Sequence, residues 1–131
     1  MELRTAVSPR DVKHYTTDRL REEFLIQDLF VPEEIKLVYS HIDRIITGAA
    51  MPVKETLTLT AGEELRAEYF LQRREMGVIN IGGAGKITVD GKVYEVAYKE
   101  AMYIGMGARD ITFASADAAC PAKFYINSVP A

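Results

Sequence analysis

With only two histidines, one cysteine and no tryptophan in 131 residues, this sequence is short of several chemically useful side chains. Each shortage narrows the field. A catalytic zinc or iron site in a β-barrel usually draws two or three imidazoles from neighbouring strands, and His14 and His41 lie in separate parts of the chain. A lone thiol permits no intrachain disulfide and suits a reducing compartment. Cys120 precedes Pro121 with no base beside it, so it reads as a packed or incidental thiol ahead of a nucleophile. Long apolar runs are missing too: nothing approaches the roughly 20 residues that span a bilayer, and Met1 to Arg10 lacks a signal-peptide core. The expected location is the cytoplasm, with no membrane partner. A basic excess is also absent. The net charge of -3 argues against nucleic acid, which needs a clustered basic surface. Arg66, Arg73 and Arg74 are the densest basic group, and Glu68 and Glu75 interrupt them. A solvated charged face is the default expectation there.

The residues that are present suit a β-domain. Hydrophobic residues make up 48% of the chain and charged ones 27%, enough apolar material for one core of ordinary size. Near the start, Asp18 reads as the N-cap of a short helix with Leu20 and Phe24 on one face, an appendage to the rest of the chain. After Pro32, short β-type runs recur: 35–40, 42–47, 55–60, 68–71, 78–81, 86–90, 93–98, 101–104, 110–114 and 123–127. Turn residues such as Gly82-Gly83, Asp90-Gly91 and Cys120-Pro121 separate them. Many short strands without intervening helices predict an all-β, jelly-roll type antiparallel barrel or sandwich. The expected division is 1–34 as arm and short helix and 35–131 as the β-domain, the whole folding as one unit. Function is then expected in the barrel interior or mouth.

The run from Glu75 to Gly91 carries the sharpest local signal. Its glycines suggest a phosphate loop, but a strand-like stretch follows where a dinucleotide fingerprint needs a helix, and Ile87 follows Lys86 where a P-loop needs Ser or Thr. The glycines therefore shape a turn. Asp90-Gly91 predicts a tight hairpin that opposes Val89 with Lys92, Thr88 with Val93, Ile87 with Tyr94 and Lys86 with Glu95. A Lys86–Glu95 ion pair across that hairpin would add about 0.2 to 1 kcal/mol.

Candidate chemistry gathers in two places. In Tyr39-Ser40-His41-Ile42-Asp43-Arg44, alternation puts His41 and Asp43 on one face, where an acid could orient the imidazole. A structural polar corner is the simpler alternative. In the second place, acids and arginines interleave from Glu68 to Glu75. There an arginine could clamp the carboxylate of a sugar acid and a glutamate act as base, or the group could form rim ion pairs. The catalytic candidates are His41, Asp43 and Glu75, and the substrate-binding candidates are Arg44, Arg73 and Arg74. Tyr69, Tyr94, Tyr98, Tyr103 and Tyr125 are expected to serve packing.

The β-pattern and glycine-rich hairpin resemble the cupin barrel, whose first motif places a His-x-His pair ahead of a glutamate and a glycine. Glu75 matches the glutamate, but the histidine places fall on Glu68 and Phe70, or on Tyr69 and Leu71 with a shorter spacer. The second-motif histidine place falls on Asp110. No metal site is predicted in this chain.

More specifically, Val38 to Ile46, Tyr69 to Gly91, Phe113-Ala114-Ser115 and Pro121 to Tyr125 resemble the N-terminal half of the 5-keto-4-deoxyuronate isomerases, also called 4-deoxy-L-threo-5-hexosulose-uronate ketol-isomerases. The resemblance runs from about Asp18 to Ala131. It implies a bicupin acting on the unsaturated-uronate product of pectin breakdown, by proton transfer through an enediol beside a carbonyl-polarising metal. It also implies zinc in the full-length family, held by three histidines and a glutamate of a C-terminal half that this chain does not include. The implied partners are that missing half, a sugar-acid substrate and further copies in a homo-oligomer. The alternative reading is a non-catalytic cupin module that binds a sugar acid or drives oligomerisation.

Overall fold

Period-two burial is clearest in Arg74–Asn80 and Phe124–Pro130, where buried and less buried residues alternate. In the computed structural model, which describes residues 1–131, ten strands build two sheets that face each other across one core. In chain order the elements are β1 (Glu2–Arg4), α1 (Pro9–Val12), α2 (Thr17–Phe24), β2 (Ile35–Ser40), β3 (Ile46–Ala50), β4 (Leu57–Thr58), β5 (Arg74–Asn80), β6 (Gly85–Val89), β7 (Lys92–Val96), β8 (Ala101–Ile104), β9 (Ile111–Ser115) and β10 (Phe124–Pro130). The larger sheet runs β1-β2-β3-β10-β5-β8 and the smaller β4-β9-β6-β7. All pairings are antiparallel except β1 with β2, so the expected antiparallel sandwich carries one parallel strand at its edge.

Inward side chains from both sheets fill the interior. Phe70, Phe113, Phe124, Ile46, Ile87 and Ile126 are almost fully buried within one apolar cluster, with the Phe113 and Phe124 rings 5.4 Å apart. The barrel interior is therefore packed core, which corrects the expectation of a site there and leaves the mouth.

The β6–β7 hairpin has the predicted register, Val89 with Lys92 through Lys86 with Glu95. Asp90 and Gly91 both have positive φ, 48° and 83°, the geometry a two-residue turn needs to match strand twist. The Lys86–Glu95 ion pair does not form, since the three salt bridges of the chain lie elsewhere. Both side chains are exposed, where water competes with pairing. The glycine-rich turn before β6 is also structural. Asn80, fully buried, donates to the carbonyls of Gly83 and Val96 and accepts from the amides of Gly82 and Lys123. A Cβ on Gly82 would lie 2.6 Å from both the Pro121 oxygen and the Lys123 nitrogen, so glycine permits this close passage.

Several predicted strands shift or vanish. The run at 42–47 becomes a turn followed by β3, because Asp43 and Arg44 take positive φ values of 52° and 54°. The run at 68–71 is a turn, and 55–60 shortens to Leu57–Thr58. The helix caps on Thr16, whose hydroxyl accepts from the Arg19 amide, instead of on Asp18. No residue of α2 is buried. The segment after it is tied to the larger sheet by Lys36 Nζ, which donates to the Gln27 and Asp28 carbonyls at 2.7 and 2.9 Å. Farther on, Glu33 accepts from the amides of Val53, Lys54 and Glu55, and these bonds hold its carboxyl below the usual range.

Candidate functional site

Four segments separated in sequence meet at one end of the larger sheet. Tyr39 lies near the end of β2, Arg44 in the β2–β3 turn, Arg74 at the start of β5 and Pro130 at the end of β10, with Pro130 paired to Arg74 in register. Together with Leu65, Ala67, Phe70 and Arg73 they line a cavity of about 260 Å³. All three substrate-binding candidates, Arg44, Arg73 and Arg74, are thus brought together.

Each arginine is held differently. Arg74 begins β5 on its inward face and is only 5% exposed, which corrects the expectation of a solvated face for this residue, whereas Arg66 and Arg73 are exposed as expected. Its Nε donates to Ser128 Oγ at 3.1 Å, and its Nη2 donates to the Ser128 and Arg44 carbonyls. The guanidinium also lies 5.6 Å from the centre of the Tyr39 ring. Burial pulls its pKa down, and the nearby Arg44 charge acts in the same direction. Arg73, exposed, spans to the carbonyls of Leu65 and Arg66 through Nη2 at 2.9 and 3.0 Å. Arg44 is exposed and its side chain makes no hydrogen bond or ion pair within the chain, although Arg74 grips its carbonyl. That grip sits on a non-glycine residue with φ of 54°, a conformation that persists where neighbours over-determine it. None of the three arginines pairs with a carboxylate. Such a cluster favours an anion, and charge-assisted bonds from guanidinium groups supply the strength.

The catalytic candidates do not join it. His41 and Asp43 sit in the exposed turn and share no hydrogen bond, so the predicted strand-like pairing on one face fails with the strand. His41 packs its ring edge-on against Tyr39 at 5.4 Å, and its amide donates to the Arg4 carbonyl. The polar-corner reading describes this geometry. Glu75 faces outward, because Arg74 and Met76 take the inward positions of β5, and it accepts the Tyr103 hydroxyl at 2.7 Å. That bond raises the Tyr103 pKa above 10. Tyr103 and Tyr98 are 67% and 58% exposed, so neither serves the core. Cys120 is exposed as well.

The residues present do not fit a metal ion. Glu75 points away from the interior, Phe70 is in the core, and Glu68 and Asp110 are exposed. Asp110 instead donates its amide to Asp90 Oδ1. No group of three or more His, Cys, Asp or Glu side chains converges. Sequence reasoning missed Tyr39, Leu65, Phe70 and Pro130 as cavity walls, and no local signal marks them, since they meet only through tertiary packing.

Comparison with known proteins adds a family. No protein-family model matches the chain. A protein of Lachnoclostridium phytofermentans named 4-deoxy-L-threo-5-hexosulose-uronate ketol-isomerase is 79% identical over 131 residues, all of this chain and 48% of that protein. Proteins with the same name from Lachnospira eligens and Escherichia coli are 57% and 52% identical, again over the whole chain and over 47% and 48% of their own lengths. The chain thus spans about half the length of the curated relatives it matches. Among solved structures, the Cupin_2 domain of an XRE family transcriptional regulator from Enterobacter cloacae superimposes with a TM-score of 0.58 at 11% identity, covering 75% of this chain and 96% of that one. An RmlC-like cupin protein from Desulfovibrio desulfuricans gives 0.53 at 13% identity, covering 74% of this chain and 81% of that one. The fold is cupin-like and all-β.

Proposed function

Since the chain belongs to the 4-deoxy-L-threo-5-hexosulose-uronate ketol-isomerase family, we propose that it is the N-terminal, metal-free half of a bicupin isomerase. The complete enzyme interconverts 5-dehydro-4-deoxy-D-glucuronate and 3-deoxy-D-glycero-2,5-hexodiulosonate in pectin and uronate catabolism. One observation carries this reading: identity of 79% along the whole chain to 48% of a relative so named. The filled interior and the outward Glu75 agree with it, since they leave no ligand set for a metal on this side. In this reading zinc belongs to the other half, and the protein works in the cytoplasm. No helix is long and apolar enough to cross a membrane.

Its partners are that other half and further copies of the assembly. Support for assembly comes from β8, an edge strand of the larger sheet that carries exposed Tyr103, beside exposed Ile79 on the adjoining β5. The test is isomerisation of the deoxyuronate with added zinc, by the chain alone and after mixing with the remaining half of the Lachnoclostridium phytofermentans relative. Turnover is expected only in the mixture. Robust turnover by the chain alone would sink the reading.

A further inference from the structure

We infer that β8 is a contact between two copies of this chain, pairing antiparallel with β8 of a second copy about a two-fold axis. This rests on the reading that copies assemble, and it names the strand that joins them. Both sheets end in edge strands, and every edge but one is blunted. β1 carries Glu2 and Arg4, β7 carries Lys92 and Glu95, and β4 is only Leu57–Thr58. β8, Ala101-Met102-Tyr103-Ile104, has neither charge nor proline. Its backbone is ready to pair. The Asn80 backbone amide donates to the Glu100 carbonyl, so antiparallel alternation directs Met102 and Ile104 to β5 and turns the N–H and C=O of Ala101 and Tyr103 outward. No loop or turn takes up those groups.

The register that uses these groups is self-complementary. Ala101 and Tyr103 of one copy exchange N–H···O=C bonds with Tyr103 and Ala101 of the other, and Met102 faces Met102 on the axis. The small Ala101 side chain then lies opposite a large exposed ring. Beyond Ala101 the outer face holds a trough of about 350 Å³ walled by Ile79, Tyr103 and Tyr125, with Gly77 on its floor, so each ring meets a hollow of the other copy. Charge agrees as well. Lys99 comes level with Gly105 of the second copy, and the β5 neighbour of Gly105, one step past the Met76–Ile104 pair, is Glu75. Two strand spacings, roughly 10 Å, separate their backbones, within reach of a lysine and a glutamate side chain. Neither Lys99 nor Glu75 has an ion-pair partner in its own chain. An unrelated strand would gain the backbone bonds without this fit. A contact of this size lies at the low end of protein interfaces, so the dimer forms and dissociates with concentration.

Sedimentation velocity over a wide range of concentration, joined to amide exchange followed by NMR, tests it. A reversible equilibrium of monomer and dimer is expected, and the Ala101 and Tyr103 amides should gain about tenfold or more protection in the dimer. Tyr103→Lys, which sets like charges beside the axis, and Ala101→Pro, which removes an outward N–H, should each weaken the dimer about tenfold or more. A monomer at every concentration, a dimer whose Ala101 and Tyr103 amides stay unprotected, or a dimer indifferent to both substitutions would overturn the inference. Protection of these amides that appears only on adding the remaining half of the Lachnoclostridium phytofermentans relative would overturn it too, by giving β8 to that half. If a variant loses its fold, amide protection in the native chain decides alone. Turnover by the mixed halves from a chain that stays monomeric would remove this contact and leave the family reading intact.

Discussion

Replacing Arg74 by methionine is the most revealing perturbation of this fold, because one buried side chain links the β2–β3 turn to the last strand. Methionine has a similar length and no charge to desolvate, so packing is largely kept while three hydrogen bonds disappear. Bonds to charged groups contribute about 1.5 to 3 kcal/mol each when both partners are otherwise unpaired on removal. The net loss is smaller. Ser128 Oγ keeps its donation to the Glu75 carbonyl at 2.7 Å, and the Arg44 carbonyl, in an exposed turn, can turn to water. Relief of the buried charge offsets part of the remainder. The Ser128 carbonyl, opposite Ile46 in the sheet and in a residue 1% exposed, loses a charge-assisted bond that water does not replace, at a cost of about 1 to 3 kcal/mol.

For a domain of this size that is roughly 3 to 15 °C in melting temperature. Urea unfolding followed by circular dichroism measures it, with an unchanged m value as the check on two-state behaviour. A double-mutant cycle with Ser128→Ala should return a coupling of about 0.5 to 3 kcal/mol. Hydrogen exchange adds a local readout: the Ser40 amide, bonded to the Ile45 carbonyl at 2.9 Å across the turn, should exchange faster in the variant. A stability change below about 0.5 kcal/mol together with unaltered Ser40 exchange would refute the view that Arg74 ties these segments, since it falls within ordinary surface variation.

Single contacts elsewhere give further expected outcomes. Glu33 has a lowered folded pKa, so its stabilisation is present above the unfolded value near 4.5 and is lost as pH falls through the folded value. Glu33→Gln should therefore destabilise the chain at neutral pH and narrow the gap to the native protein in acid, as read by denaturation at a series of pH values. Glu75→Gln should bring the ionisation of Tyr103 back toward 10, seen as an earlier phenolate signal in ultraviolet titration; an unchanged titration would mean the 2.7 Å bond is not populated in solution. Phe113→Ala, at a side chain with 0% exposure, should cost about 3 to 5 kcal/mol in urea unfolding.

By itself the sequence determined whatever depends on near neighbours. The Asp90-Gly91 turn and its register come from two residues that accept positive φ between alternating strands, and β2 and β8 have the bounds expected from their short β-type runs. The glycine-rich run proved a turn for the reason its context indicated, with close backbone passage at Gly82. Segments where polar residues and turn chemistry compete were less legible. At 41–45 a strand-like pattern gave way to consecutive left-handed residues, held through a bond from Arg74, 30 positions away in the chain. Only tertiary structure decided which side of β5 is inward, and hence that Arg74 is buried while Glu75 leaves the cupin motif's metal position for the outer face. Likewise, it alone brought Arg44, Arg73 and Arg74 to one cavity, because convergence of a turn, a loop and two strand ends depends on how the sheet closes, a long-range property that no local spacing encodes.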